Sequence, residues 1–180
     1  MDARIDELIA FWIGVGPRKW FGRDDALDAS IRERYLTWVE QAAAGQLSHW
    51  EPSARGALAL LLLLDQFPRN LYRGHAQAFA ADAMARGVAD RAIARGFDRN
   101  VDRELRNFFY LPFMHSEQLH DQQRCVELVR GLDDDDTLAY AIEHRDIIER
   151  FGRFPHRNPA LGRATTPEER RFLDEGGFSA

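Results

Sequence analysis

The chain has 180 residues, a formal net charge of −5 and one cysteine, Cys125. The length fits one compact domain, and the negative charge argues against a general nucleic-acid or anionic-membrane surface, because such partners require a dominant positive field. A lone cysteine excludes an intrachain disulfide and favours a reducing cytoplasm.

Two further features favour a soluble cytoplasmic protein. Acidic residues stand near the amino terminus, where an export signal needs a basic start followed by an apolar run. The longest apolar run, residues 56–64, is shorter than the ~20 residues that cross a bilayer. We therefore expect a single helical domain over residues 1–180 with a loose tail over 175–180, and neither nucleic acid nor membrane as a partner.

Apolar residues recur at helical spacing along the whole chain, and alternating strand patterns are scarce. Asp24 and Asp25 favour a helix start, Ser53 predicts an N-cap, and Thr166 with Pro167 begins a short final helix. The acidic run at 133–136 is typical of a solvated loop and helix start. The pattern predicts about seven helices, at residues 5–11, 24–45, 53–66, 77–95, 101–129 with a kink or restart at Pro112, 138–151, and 166 onward.

This pattern predicts an all-α fold. Short links between consecutive helices favour antiparallel packing, either as a bundle or as a curved stack of helix hairpins. No 34-residue repeat signature is visible to indicate a true repeat array.

Three polar residues share helix faces with apolar neighbours and are therefore predicted to point inward. Asp65 shares a face with Leu58, and His144 shares one with Ile148. A continuous helix over residues 113–129 would place His115 on an apolar stripe in the same way. Buried polar groups need partners, because each unsatisfied one costs roughly 1–3 kcal/mol.

Three interpretations of Asp65, His115 and His144 remain open. They form an Asp–His or Asp–Arg network that fixes helix register, they line a polar cleft for a small ligand or proton transfer, or they belong to a metal site. Glu117 and His120 have the spacing of one metal-binding helix element, but a second copy is absent and both are predicted on a solvated face. We expect no metal and no cofactor.

A short motif occurs twice, as Phe-Pro-Arg-Asn at 67–70 and as Phe-Pro-His-Arg-Asn at 154–158. One interpretation is docking and capping, in which Phe packs inward while Arg and Asn bind the last helix carbonyls. The other is a clamp for a carboxylate or phosphate, to which guanidinium groups are suited. The candidate anion-binding residues are Arg69, Asn70, Arg73, Arg153, His156, Arg157 and Asn158.

Read in order, the motifs at 11–12, 20–21, 64–70, 112–117 and 144–158 give the chain a specific signature. With these motifs the chain resembles the uncharacterised bacterial domain-of-unknown-function family numbered nine-two-four, over roughly residues 5–175. The resemblance implies an all-helical fold of antiparallel hairpins, stacked as a tetratricopeptide-like right-handed bundle or short solenoid, in a small cytosolic protein. It implies no reaction and no catalytic residues.

Two functional hypotheses follow. The first is a polar cleft containing Asp65, His115 and His144, rimmed by arginines, that binds a small anionic ligand. The alternative is a tetratricopeptide-like interaction module with a protein partner, in which the inward polar residues are purely structural. Glycine-rich phosphate loops, paired-cysteine metal sites and nucleophile-turn motifs are not found in the sequence. Neither an enzyme activity nor the oligomeric state is indicated.

Overall fold

The computed structural model describes residues 2–177, and within that range every regular element is helical. Short 3-10 turns and one π turn connect or extend the α-helices. None of the helices in residues 2–177 has the length and apolar content needed to cross a membrane. The described residues contain the α-helices α1 (Ala3–Val15), α2 (Pro17–Trp20), α3 (Asp25–Ala43), α4 (Ala54–Leu61), α5 (Phe67–Leu71), α6 (Asp82–Ala94), α7 (Asn107–Met114), α8 (Leu119–Arg130), α9 (Asp135–Phe151) and α10 (Pro167–Asp174).

The chain divides into two compact units. The first contains residues 1–73 and 77–112, and the second contains 74–76 and 113–180. The all-helical fold class is confirmed for the described residues. The tetratricopeptide-like stacking and the single-domain organisation stay predictions.

In the first unit, one long helical segment occupies the centre. Helix α4 continues through a π turn, Leu62–Gln66, into α5, and this segment packs against α1, α3 and α6. The sequence predicted that the helix would stop at residue 66, before Pro68. The helix continues because a π turn replaces an α-turn before Pro68, and in it the Phe67 N–H donates to the Leu62 carbonyl. In an α-turn the proline ring would clash with a backbone carbonyl.

Aromatic rings fill the space around Phe67, which is fully buried. Its ring centroid lies 5.4 Å from that of Trp12, 5.5 Å from that of Tyr35 and 6.4 Å from that of Phe11. Tilted and edge-to-face pairs at these distances stabilise a core beyond the area that they bury.

The second unit is built on a hairpin of α8 and α9. Asp134 caps α9, its carboxylate accepting the N–H of Thr137 at 3.1 Å, so the acidic run is a helix start as predicted. Thr166 and Glu169 form a reciprocal capping box at the start of α10, which confirms the predicted cap. Half of the predicted loose tail, residues 178–180, lies outside the described range.

The prediction of a continuous helix over residues 113–129 is wrong. Helix α7 passes through Pro112 and ends at Met114, and α8 begins only at Leu119. The fully buried Gln122 stabilises the break, because its side-chain amide donates to the carbonyls of Met114 and Ser116, both at 2.6 Å. A side chain from the next helix thus supplies the hydrogen bonds that a continuing helix would have made.

Candidate functional site

Asp65 lies in the π turn of the first unit and is 2% exposed. Its carboxylate accepts a hydrogen bond from Arg69 Nη1 at 3.2 Å. The same guanidinium binds the carboxylate of Asp82 at 3.0 and 2.9 Å. Arg69 therefore joins two acidic side chains within the first unit, which is the Asp–Arg pairing that the sequence left open for Asp65.

His144 is buried in α9, so its inward orientation is confirmed. Its Nδ1–H donates to the Tyr140 carbonyl at 2.7 Å, and in the neutral ring this leaves Nε2 as an acceptor. His115 is half-buried and lies in the turn between α7 and α8. The helical stripe proposed for it is therefore wrong, since the helix breaks at this residue and Leu119 is 38% exposed.

The three residues of the predicted cleft belong to different units, Asp65 to the first and His115 and His144 to the second. A cleft formed by all three stays a prediction. Within the second unit, however, the structure brings further members of the 144–158 segment together around a single ring.

Phe154 is fully buried and is the centre of this group. The ring of His144 meets it edge-on, with centroids 5.5 Å apart, and the ring of His156 lies 5.6 Å away. The guanidinium carbon of Arg157 lies 4.5 Å from the Phe154 centroid, within cation–π distance. We call His144, Phe154, His156 and Arg157 the Phe154 cluster.

The backbone between α9 and the following turn positions these residues around Phe154. Helix α9 ends at Gly152, whose left-handed conformation (φ 67°) favours glycine and turns the chain sharply. A 3-10 turn, Pro155–Arg157, follows directly. One turn of helix and the turn after it therefore supply two imidazoles and a guanidinium to the surroundings of the Phe154 ring.

The pKa of His156 reflects the electrostatic environment of the cluster. Burial is the main cause that lowers its pKa, to about 3, and the positive charge of Arg157 and the neighbouring rings of His144 and His115 add to the effect. Glu117 acts in the opposite direction. Burial and a predominantly positive environment therefore keep the imidazole of His156 neutral.

Glu117 is a residue that the sequence placed wrongly. It does not lie on a solvated helix face but in the turn before α8, where the Arg163 guanidinium binds its two carboxylate oxygens at 2.7 and 3.0 Å. The Phe154 N–H donates to the same carboxylate at 2.8 Å, and Arg163 donates to the Phe154 carbonyl at 3.0 Å. Glu117 and Arg163 thus fix the backbone of Phe154 from both sides.

The other candidate anion-binding residues bind acidic side chains of the protein itself. In the first unit Arg73 holds Asp28 at 2.6 and 3.0 Å, and Asn70 donates to the same carboxylate at 2.8 Å. In the second unit Arg153 holds the buried Glu169 at 2.6 and 2.9 Å.

Asn158 also binds Glu169, at 3.1 Å, and is fully buried. The asparagines of the two motifs therefore share one role, since each donates to an acidic side chain of its own unit. An external anion bound by all of the arginines together stays a prediction.

Comparison with known proteins adds a family but no activity. Residues 8–177 match the model of a family described as bacterial proteins of unknown function, DUF924. A solved structure from Agrobacterium tumefaciens, described as protein of unknown function ATU0120, is similar over 97% of this chain and 98% of that chain, with 50% sequence identity and a TM-score of 0.94. No curated protein matched the chain.

Proposed function

The chain belongs to DUF924, a family of bacterial proteins of unknown function, and since membership supplies no activity, we propose from the site alone that the Phe154 cluster binds a small anion. A carboxylate or a phosphate is the class of ligand that imidazole and guanidinium donors suit. The observation that carries the proposal is the environment of His156, whose burial and positive neighbours disfavour its protonated form.

An anion would reverse the electrostatic balance at His156. A negative charge beside the imidazole favours its protonated form and therefore raises its pKa from about 3. Raising the pKa means that the protein takes up a proton when the anion binds. Affinity should consequently increase as the pH falls toward the raised pKa, from about 5 to about 4.

Geometry supports the same interpretation. Glu117 and Arg163 hold Phe154 at its N–H and its carbonyl, so the ring that carries the cluster has a fixed backbone. Donors that are fixed before the ligand arrives lose less conformational freedom when it binds. Arg157 is 6% exposed and His156 is half-buried, so an anion here would be partly removed from water, where charge-assisted hydrogen bonds are stronger.

Titration calorimetry with inorganic phosphate and with succinate, at about pH 5 and about pH 4, tests the proposal, and phosphate keeps one negative charge over this range. We expect tighter binding at the lower pH for at least one of the two. His156→Gln should weaken binding and reduce its dependence on pH. His120→Gln is the matched control, because His120 lies in the same unit with a side chain that is 75% exposed.

A purely structural cluster predicts a different result. In that case His156→Gln changes the free energy of unfolding, but neither anion binds to the parent protein or raises its melting temperature at millimolar concentration. That outcome would contradict the proposal.

A further inference from the structure

A second polar group lies in the first unit. Asp98, in the 3-10 turn Phe97–Asn100, is 4% exposed. Its Oδ2 accepts a hydrogen bond from the Tyr110 hydroxyl at 2.7 Å. Its Oδ1 is buried and has no hydrogen-bond partner among residues 2–177.

Two further side chains each have a buried polar atom without a hydrogen bond. Arg106 Nε and Asn107 Oδ1 are buried and also lack a hydrogen-bond partner within the described part of the chain. Arg106 directly precedes α7 with a helical backbone, and Tyr110 follows it by four residues and Asn107 by three, so this spacing places both side chains next to Tyr110. The charges of Asp98, Arg106 and Arg99 all act on the Tyr110 hydroxyl, which itself bonds to Asp98.

Native proteins leave few buried polar groups without hydrogen bonds, because desolvation of such a group is costly. Here a carboxylate oxygen, an amide oxygen and a guanidinium N–H remain without partners on side chains related through Tyr110, by its bond to Asp98 and by helical spacing. Tyr110 stays protonated and keeps donating to Asp98, since burial and that hydrogen bond raise its pKa above the usual range. The group is therefore a fixed set of two acceptors and one cationic donor that a bound molecule could complete.

The charges of the group indicate the chemistry of that molecule. Asp98 and Arg106 are oppositely charged, so a lone cation would meet an unfavourable guanidinium and a lone anion an unfavourable carboxylate. We infer that Asp98, Arg106 and Asn107 form a binding site for a small zwitterion that carries an ammonium and a carboxylate group, such as a free α-amino acid. The ammonium donates to Asp98 Oδ1 and Asn107 Oδ1, and the carboxylate accepts from Arg106.

Calorimetric titration of the full chain with glycine, methylamine and acetate tests the inference. Glycine should bind at least about tenfold more tightly than methylamine or acetate, because each of these supplies only one of the two charges. Asp98→Asn should weaken glycine binding by about tenfold or more, while its amide oxygen can still accept from Tyr110. Arg106→Lys, which keeps the charge but loses the buried Nε, provides a second variant should the first fail to fold.

Asp102→Asn is the matched control, because Asp102 is an exposed acid of the same segment, and it should bind glycine like the parent protein. His156→Gln should also leave glycine binding unchanged, so this inference and the proposed anion site can fail separately. Absence of glycine binding to the parent, or equal binding of all three probes, would overturn the inference. So would a crystal structure grown with glycine in which ordered water alone bridges the three atoms.

Discussion

His156 links the burial of the Phe154 cluster to the stability of the protein. Its folded-state pKa of about 3 lies below the ordinary value of 6.5. Between these two values the unfolded chain binds a proton that the folded protein does not bind. The free energy of unfolding therefore falls as the pH is lowered through this window, with a slope of up to about 1.4 kcal/mol per pH unit.

Replacing His156 by Gln removes this titration. We expect the variant to lose less stability than the parent between about pH 6.5 and about pH 5, as measured by urea unfolding at several pH values. Titration of Glu169 in the folded state does not overlap this pH window. Its pKa is lowered to about 2, mainly by hydrogen bonds from Arg153, so its carboxylate is protonated only at lower pH. Parallel curves for parent and variant would contradict the assignment.

Glu117 provides a second test at the residue scale. Glu117→Gln removes the charge that Arg163 binds, although both side chains retain some exposure, 27% and 22%. Solvent screening at this exposure limits the expected destabilisation to about 1–2 kcal/mol. Arg23→Ala, which breaks an ion pair whose side chains are 75% and 79% exposed, should change stability by less than about 0.5 kcal/mol. Equal effects in thermal melts would show that the Glu117–Arg163 pair does not stabilise the fold.

The sequence revealed some of these residues and not others, for a physical reason. His144 could be found because an amphipathic helix records its inward face in the spacing of its own residues. Glu117 and Arg163 are 46 residues apart, and neither lies in a helix, so no periodicity connects them. The prediction for His115 failed because it extended a helical spacing across a break that a side chain of the following helix, Gln122, stabilises through hydrogen bonds that spacing does not record.

At the scale of elements, two helical glycines make a matched pair. A Cβ on Gly56 would lie 1.9 Å from the Trp50 carbonyl oxygen, so α4 passes the preceding turn too closely for any side chain. We expect Gly56→Ala to destabilise the protein by about 1–3 kcal/mol or more, since backbone must shift.

Gly87, within α6, has no such restriction. Its added Cβ would meet only the flexible end of Arg91, at 3.3 Å. Gly87→Ala should therefore be neutral or stabilise the protein by up to about 1 kcal/mol. Circular dichroism melts of both variants measure the difference, and equal destabilisation would contradict the close packing at Gly56.

Helix starts were the elements most readable from the sequence. The caps at Asp24, Ser53 and Thr166 are all observed, because capping depends on residues within one turn of each other. The π turn before Pro68 was not predicted. Its position depends on how the buried segment packs against three other helices, which local spacing does not record.

The rate at which Cys125 reacts with a thiol reagent measures opening of the second unit. It is fully buried, and burial raises the pKa of its thiol to about 12. Because the thiolate is the reactive form, a thiol reagent such as dithionitrobenzoate should label it only when the unit opens. We expect slow labelling in buffer, and slower labelling with a bound anion. Labelling at the rate of a free thiol would contradict this burial.

The ordered set of motifs made the family recognisable from the sequence, and the match over residues 8–177 confirms it. The candidate site was predicted only in part. The residues at 154–158 were identified because their motif occurs twice in the sequence, but their arrangement around Phe154 depends on the turn at Gly152 and on Glu117. The sequence also placed Asp65 with His115 and His144, residues that belong to two units.

Nuclear magnetic resonance titration of the His156 ring, with and without phosphate, tests the central claim most directly. Without phosphate we expect the ring to stay neutral down to well below pH 5, in keeping with its pKa of about 3. Saturating phosphate should move its titration upward by roughly one pH unit or more. A His156 titration near pH 6.5, or one that phosphate leaves unchanged, would contradict the account.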